Sequence, residues 1–262
     1  MTDLRIDARL SYAFEAPCDL LLQVEVARTP GQRVVEDALW TTPVAEFRRI
    51  AAEAGVGTRA WMEANGQFDA TYTATVEVTR DAPELEIFEA TPVRGLDADV
   101  TPFLMPSRYC PSEDFEAVLM DDFAGLAGGG LIAAVRDWIE THFTYDPEGS
   151  TVATTARDTF LSRRGVCRDY AHVLIAFARA SGIPARMASV YAPGVEPPDF
   201  HAAAEVWLDG GWHLVDATGM ARPGEMAVIG VGRDAAEVSF LTSFGFATFL
   251  SQEVRVTEGP PG

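Results

Sequence analysis

Three side chains in the second half of the chain could carry out nucleophilic catalysis: a thiol, an imidazole and a carboxylate. Cys167 begins a segment of helical periodicity, His201 begins a predicted strand, and Asp216 lies near the end of the next strand. In acyl transfer by cysteine, an imidazole takes the thiol proton and later protonates the departing amine, while a carboxylate orients the ring. We therefore predict that Cys167 is the nucleophile, His201 the base and Asp216 the orienting acid, with a thioester intermediate.

The segment that carries Cys167 has the pattern of an amphipathic helix. Its apolar residues share one face: Tyr170, Ala171, Leu174, Phe177 and Ala178. Gly182, followed two residues later by Pro184, is typical of a helix end, so the pattern predicts a helix from about Cys167 to Ala180. A thiol in the first turn lies beside unpaired backbone N–H groups and the positive end of the helix dipole, which favours the thiolate.

The relative position of His201 and Asp216 follows from a predicted hairpin. Asp209-Gly210, between the strands 201–208 and 212–217, is a strong signal for a two-residue turn. In that register His201 is diagonal to Asp216 on one face, at roughly 7–8 Å between backbones. A three-residue turn would shift the register by one and place the two side chains on opposite faces.

Several segments resemble the core of the transglutaminase-like superfamily. They are Gly-Val-Cys-Arg-Asp-Tyr-Ala-His at 165–172, Gly-Ile-Pro-Ala-Arg at 182–186, Asp-Phe-His-Ala at 199–202, Glu-Val-Trp-Leu at 205–208 and Trp-His-Leu-Val-Asp-Ala-Thr at 212–218. More narrowly, the chain resembles bacterial transglutaminase-like proteins that are grouped with cysteine peptidases, over about residues 106–256. The resemblance implies a papain-like fold and the same roles for Cys167, His201 and Asp216.

The pattern of apolar residues divides the chain near residue 105. Before it, the period is mostly two and predicts strands at 4–14, 20–28, 33–42 and 67–79, a short helix within 44–62 and a linker at 85–100. Beyond it, helical periodicity appears at 132–143 and 155–164. We predict an α+β protein: a β-rich N-terminal domain at 1–105 and a catalytic domain at 106–262, whose Cys-bearing helix packs on an antiparallel sheet.

The composition limits the partners of the protein. The chain has a formal net charge of −19 and all its basic side chains are arginine, which argues against binding to nucleic acid or an anionic membrane. The acidity hints instead at a basic or neutral substrate, which we expect to be a peptide or protein.

No apolar run is long enough to cross a bilayer and the N-terminus does not resemble a signal peptide, so we predict a cytoplasmic protein. Cys18, Cys110 and Cys167 are too widely spaced for a typical zinc site, and we expect no metal or cofactor.

The sequence leaves the second oxyanion donor open. The backbone N–H of Cys167 is the first donor. Papain-like enzymes use a side-chain amide upstream of the nucleophile, yet residues 106–166 contain neither Gln nor Asn. Backbone N–H groups, Trp138 and Tyr145 all stay open for this role.

The other histidines and the charged residues near Cys167 are predicted to have structural roles. His172 cannot share a helix face with Cys167, His213 points away from Asp216, and Arg168 and Asp169 suit the first helical turn. We expect Cys18 and Cys110 to be buried.

The preferred activity is hydrolysis of an amide or peptide bond. The alternatives are transfer to an amine, as in protein crosslinking, and a non-catalytic domain that binds peptides or proteins.

Overall fold

The structure, a computed structural model, describes residues 1–259; residues 260–262, at the end of the predicted catalytic domain, lie outside the described residues. The strands in chain order are β1 (Thr2–Leu22), β2 (Gln32–Thr41), β3 (Phe47–Ala51), β4 (Thr58–Val78), β5 (Thr144–Tyr145), β6 (Arg164–Gly165), β7 (Ala185–Tyr191), β8 (His201–Leu208), β9 (Gly211–Val215), β10 (Ala227–Gly232), β11 (Leu241–Ser243) and β12 (Thr248–Glu258). The α-helices are α1 (Glu116–Asp122), α2 (Gly128–His142), α3 (Ala156–Ser162) and α4 (Cys167–Ala180).

The large sheet is built around the long strands β1 and β4, which pair antiparallel along most of their length. β2 and β3 pair with the other side of β4, and β11 and β12 pair with the other side of β1. Alternate residues of β1 are buried, as the period of two predicts: Leu4, Ile6, Ala8 and Leu10. The strands predicted at 4–14 and 20–28 are one strand as far as Leu22, with an irregularity between Phe14 and Cys18.

The helix predicted within residues 44–62 is wrong. The structure has β3 there, followed by a single 3-10 turn at Glu53–Gly55 and the start of β4. Gly55 and Gly57 take positive φ angles of 70° and 91°, which turn the chain back so that β3 pairs with β4. Phe47 remains 39% exposed, so the apolar spacing does not mark a buried helical face.

Both ends of the described chain contribute to the large sheet. β11 and β12 come from beyond residue 240, yet they extend the sheet formed by the first eighty residues. The division at residue 105 stays a prediction, but the β-rich unit does not consist of residues 1–105 alone.

The small sheet has the antiparallel order β10-β7-β8-β9, and α4 packs on it. α4 has the bounds that the sequence predicts, and the buried Asp169 carboxylate accepts the N–H of Val166 at 2.9 Å where the helix begins. At the other end Gly182 takes a φ of 80°, and the N–H of Ile183 bonds the carbonyl of Ala178 at 2.9 Å. The predicted stop signal is therefore a left-handed cap.

The two sheets share a core. Tyr191, Phe200, Ala227 and Ile229 of the small-sheet unit pack with the buried face of β1 and β4. The hydroxyl of Tyr191 donates to the carbonyl of Val24 at 2.8 Å across this contact. The large sheet thus packs against the small sheet through a shared apolar core.

The segment predicted as a linker packs closely on α2. It contains the short 3-10 turns Leu85–Ile87 and Val93–Gly95, and the carbonyl of Phe88 accepts the N–H of Gly129 at 2.9 Å. A Cβ at Gly129 would lie 1.6 Å from the carbonyl oxygen of Leu85, so only glycine permits this approach.

Within residues 1–259 no helix combines the length and apolar character needed to cross a membrane.

We predict that Gly129→Ala destabilises the protein whereas Gly130→Ala, one position along the same helix, does not. A Cβ added at Gly130 would have no atom within 4 Å, so alanine there gains up to about 1 kcal/mol of helix propensity. Gly129→Ala forces the backbone of Leu85 away from α2 and should cost about 1–3 kcal/mol. Urea unfolding of the two variants checks this, and equal midpoints would contradict it.

Candidate active site

The hairpin brings His201 and Asp216 together. Asp209 and Gly210 have φ angles of 47° and 75°, as a two-residue type I′ turn requires. The predicted register is confirmed: Trp207 faces Trp212 and Glu205 faces Leu214. Nε2 of His201 lies 2.9 Å from Oδ2 of Asp216, although fifteen residues separate them in the sequence.

The Asp216 carboxylate is held by the loop that follows β9. Oδ1 accepts the backbone N–H of Thr218 at 2.9 Å and its hydroxyl at 2.8 Å, while Oδ2 accepts the N–H of Ala221 at 2.9 Å. Burial acts to raise the pKa of Asp216, but the hydrogen bond and charge of His201, with the donors of Thr218, lower it overall. Asp216 is thus an anchored carboxylate. Sequence analysis overlooked Thr218 and Ala221; the Asp-x-Thr spacing, typical of an Asx turn, could have indicated the first.

His201 is buried and interacts with Asp216 and Cys167. Burial acts to lower its pKa, but the hydrogen bonds and charges of Asp216 and Cys167 outweigh burial and raise it to about 10. Nε2 faces Asp216, and the buried Nδ1 makes no hydrogen bond within residues 1–259. Cys167 is near enough to contribute to the raised pKa of His201, so the structure places it beside the hydrogen-bonded pair of His201 and Asp216.

A short parallel pair of strands positions the start of α4. The N–H groups of Thr144 and Asp146 in and after β5 bond the carbonyls of Arg163 and Gly165, each at 2.8 Å. This ladder fixes the chain two residues before Cys167, which is the first residue of α4 and is partly exposed. The thiol therefore lies at the positive end of the helix dipole.

Tyr145 comes into contact with Cys167 through this strand pair. Burial raises the pKa of Tyr145 well above its usual range, and so do the charge of Cys167 and its hydrogen bond with the tyrosine. The backbone N–H of Cys167 acts in the opposite direction and lowers the pKa of Tyr145, so it too is near the hydroxyl. Trp138, the other aromatic candidate, instead stacks on Phe160 and lies beneath the guanidinium of Arg163. Of the two side chains that the sequence left open, Tyr145 is the one beside the thiol.

The other polar residues of this region make structural contacts. His172 is buried, stacks on Tyr109 with ring centroids 5.2 Å apart, and accepts the N–H of Ala235 at 3.2 Å. Burial lowers its pKa to about 3, so the ring is neutral. His213 packs against Phe88, and Arg168 donates to the carbonyl of Thr151 at 2.6 Å.

The three cysteines differ in accessibility. Cys18 and Cys110 are buried, whereas Cys167 is partly exposed, and none of them is in a disulfide. Burial raises the pKa of the Cys110 thiol to about 12, which makes it unreactive. Among residues 1–259, no group of three or more His, Cys, Asp or Glu side chains is placed to hold a metal ion.

A cavity of about 640 Å³ reaches Asp216 from the far side of the hairpin. It is lined by the edge strand β9 and by Arg80, Arg136 and Glu140, but neither Cys167 nor His201 belongs to its wall. The cavity therefore borders the anchor of the site and not the thiol.

The chain is similar to a known protein family and to a solved structure. The family model described as "Transglutaminase-like superfamily" matches residues 128–217. A solved structure from Cytophaga hutchinsonii, described as a putative cysteine protease, is 32% identical and covers 100% of this chain and 92% of that one, with a TM-score of 0.93. This likeness over the whole chain confirms the predicted α+β fold class.

Curated relatives come from mycobacteria. An uncharacterized protein of Mycobacterium leprae is 31% identical over 138 residues, which cover 48% of this chain and 49% of that protein. An uncharacterized protein of Mycobacterium tuberculosis H37Rv is 33% identical over 126 residues, or 41% of this chain and 40% of that protein. The match thus spans about half or less of the length of these relatives.

We predict that Cys167 is alkylated at pH 6 faster than Cys18 and Cys110, and that His201→Ala removes this advantage. The imidazolium of His201 stabilises the thiolate, so its loss should slow iodoacetamide labelling at pH 6 about tenfold or more. Mass spectrometry of the three cysteine peptides, on variants shown to be folded by circular dichroism, measures the rates.

The controls for this experiment are His172→Ala, which removes a structural imidazole from the same helix, and His142→Ala, which removes an exposed one. Both should keep the rate of wild-type Cys167. A similar loss of rate in all three variants would count against a specific role for His201.

Proposed function

The chain belongs to the transglutaminase-like superfamily, and we propose that it is a cysteine-dependent enzyme that hydrolyses amide or peptide bonds through a thioester. The observation that carries the proposal is the buried His201 to Asp216 hydrogen bond of 2.9 Å, with Cys167 near enough to raise the pKa of His201 as well. The substrate would be a peptide or protein. The cytoplasmic location stays a prediction, which cell fractionation tests.

Each of the three residues has a distinct role in the proposed reaction. The sulfur of Cys167 attacks the carbonyl carbon, and its proton goes to Nδ1 of His201. His201 then returns a proton to the departing amine, and the acyl group stays on sulfur. Asp216 keeps the ring oriented and stabilises its charged form. In the second half, His201 takes a proton from water, which attacks the thioester and releases the acid.

Two donors could hold the oxygen of the tetrahedral intermediates. Both the thiol and the backbone N–H of Cys167 act on the pKa of Tyr145, so the N–H of Cys167 and the Tyr145 hydroxyl are near each other. When a substrate carbonyl enters, its oxygen can accept hydrogen bonds from the N–H of Cys167 and from the hydroxyl of Tyr145. We propose Tyr145 as the second oxyanion donor.

Removal of the Tyr145 hydroxyl should affect the chemical step more than binding. We expect Tyr145→Phe to lower kcat about 100-fold with little change in KM, because the hydrogen bond strengthens as charge develops on the oxygen. Tyr170→Phe is the matched control, since its ring lies 6.2 Å from that of Tyr145 and it should keep wild-type kinetics. An unchanged kcat in Tyr145→Phe would exclude this donor.

Hydrolysis and amine transfer share the thioester and differ in the acceptor. We expect the enzyme to convert members of a glutamine-containing peptide library to free acids or cleaved products, with the same products when methylamine is added. Mass spectrometry distinguishes water from amine incorporation. Cys167→Ala should be inactive and Cys18→Ala active.

Two outcomes would overturn this proposal. Preferential incorporation of methylamine would establish an amine transferase. Peptide binding without turnover in wild type, together with slow alkylation of Cys167, would establish a binding domain.

A further inference from the structure

Asp199 lies at the margin of the site but takes no part in the proposed mechanism. It precedes His201 by two residues, at the end of the connection between β7 and β8, and it is exposed. Oδ1 accepts the backbone N–H of Phe200 at 2.6 Å and the side-chain amide of Gln252 in β12. Within residues 1–259, Oδ2 receives no hydrogen bond and no arginine pairs with this carboxylate.

The Asp199 charge acts on two tyrosines on different elements. It contributes to the raised pKa of Tyr145, which contacts Cys167, and to that of Tyr12 in β1, where burial is the larger cause. Both rings are therefore near the carboxylate. The hydrogen bond from Gln252 joins Asp199 to β12 of the large sheet, two residues before His201.

Two aromatic rings of the large sheet pack together on the strand that pairs with β12 and on β12 itself. Tyr12 faces Phe249 across β1 and β12, with ring centroids 5.6 Å apart in an edge-to-face arrangement. Leu10, the neighbour of Tyr12 on the buried face, pairs with Gln252, which holds Asp199. Phe249 is 58% exposed, so the ring is available to a ligand.

A carboxylate near a partly buried tyrosine and an exposed phenylalanine matches one ligand chemistry. An ammonium or guanidinium group gains a charge-assisted hydrogen bond from the carboxylate and attraction to the ring faces. An anion would meet an uncompensated negative charge. An aliphatic side chain would gain only the apolar contact.

We propose that Asp199, Tyr12 and Phe249 form a subsite for a lysine or arginine side chain of the substrate, beside Cys167. The proposal rests on the proposed function, because it takes Cys167 as the reacting group. It gives the large sheet a part in substrate selection, since two of the three residues come from β1 and β12. The enzyme would thus act next to basic residues.

Charged thiol reagents test the subsite without turnover of a substrate. Aminoethyl methanethiosulfonate carries a positive charge, and propyl methanethiosulfonate is a neutral analogue of similar size. We measure the rate of each at Cys167 by mass spectrometry and take the cation-to-neutral ratio. Asp199→Asn should lower this ratio about fivefold or more, with the neutral rate unchanged. The control Glu196→Gln removes an exposed acid from the same connection and should leave the ratio within about 1.5-fold of wild type.

Each result decides the proposal. An unchanged cation-to-neutral ratio in Asp199→Asn would overturn the proposal. An equal fall of the ratio in Glu196→Gln would also overturn it, because the overall negative charge of the protein would then explain the preference for the cation. A fall in the neutral rate with no change in ratio would make Asp199 a positioning residue and also overturn the subsite.

Failure of the proposed function gives a different result. In that case wild type hydrolyses no peptide, while the ratio and its loss in Asp199→Asn still show a cation subsite. Where wild type does hydrolyse peptides, Asp199→Asn should lower kcat/KM about fivefold for a lysine peptide relative to its norleucine counterpart. Phe249→Leu should shift the same preference by about twofold, and Phe246→Leu, at an exposed ring of the neighbouring loop, should not.

Discussion

The hydrogen bond between His201 and Asp216 is the interaction on which the rest of the site depends. His201 begins β8 and Asp216 directly follows β9, so the 2.9 Å distance exists only in one hairpin register. A slip of one residue would turn Asp216 to the opposite face and leave a buried imidazole without its partner. The left-handed conformations of Asp209 and Gly210 exclude that slip, because they close a turn of two residues.

Burial of His201 and Asp216 means that each charged group needs a hydrogen-bond partner. A buried charged group that loses its partner typically costs about 3–5 kcal/mol, so every lone pair of Asp216 needs a donor. The loop after β9 supplies three donors besides His201: two from Thr218 and the N–H of Ala221. The low polarity that imposes this cost also strengthens the coupling among Asp216, His201 and Cys167.

The thiol is brought to this pair by a second, independent constraint. The β5–β6 ladder fixes the backbone just before Cys167, and the buried Asp169 caps the start of α4. The same ladder sets Tyr145 against the thiol and the N–H of Cys167. The large sheet then closes one side of the site, because β12 reaches the connection that ends at His201 through Gln252 and Asp199.

Sequence alone determined the parts that depend on local chemistry. The bounds of α4, the two-residue turn and the pairing of Glu205 with Leu214 all follow from short-range signals whose physical meaning does not need the fold. Those signals sufficed to name Cys167, His201 and Asp216 and to predict that they meet.

Only the tertiary structure decided the long-range contacts. The strand at 47–51 forms because β4 offers it an edge, which no spacing of Phe47 and Ile50 reveals. Likewise β12 joins β1 across the whole chain, and Gln252 of β12 reaches Asp199 only because of that pairing. Tyr145 and Trp138 were equivalent candidates in sequence, and the parallel ladder of β5 with β6 placed only the tyrosine beside the thiol. Pairing between distant segments depends on the energy of the complete sheet, which no local pattern contains.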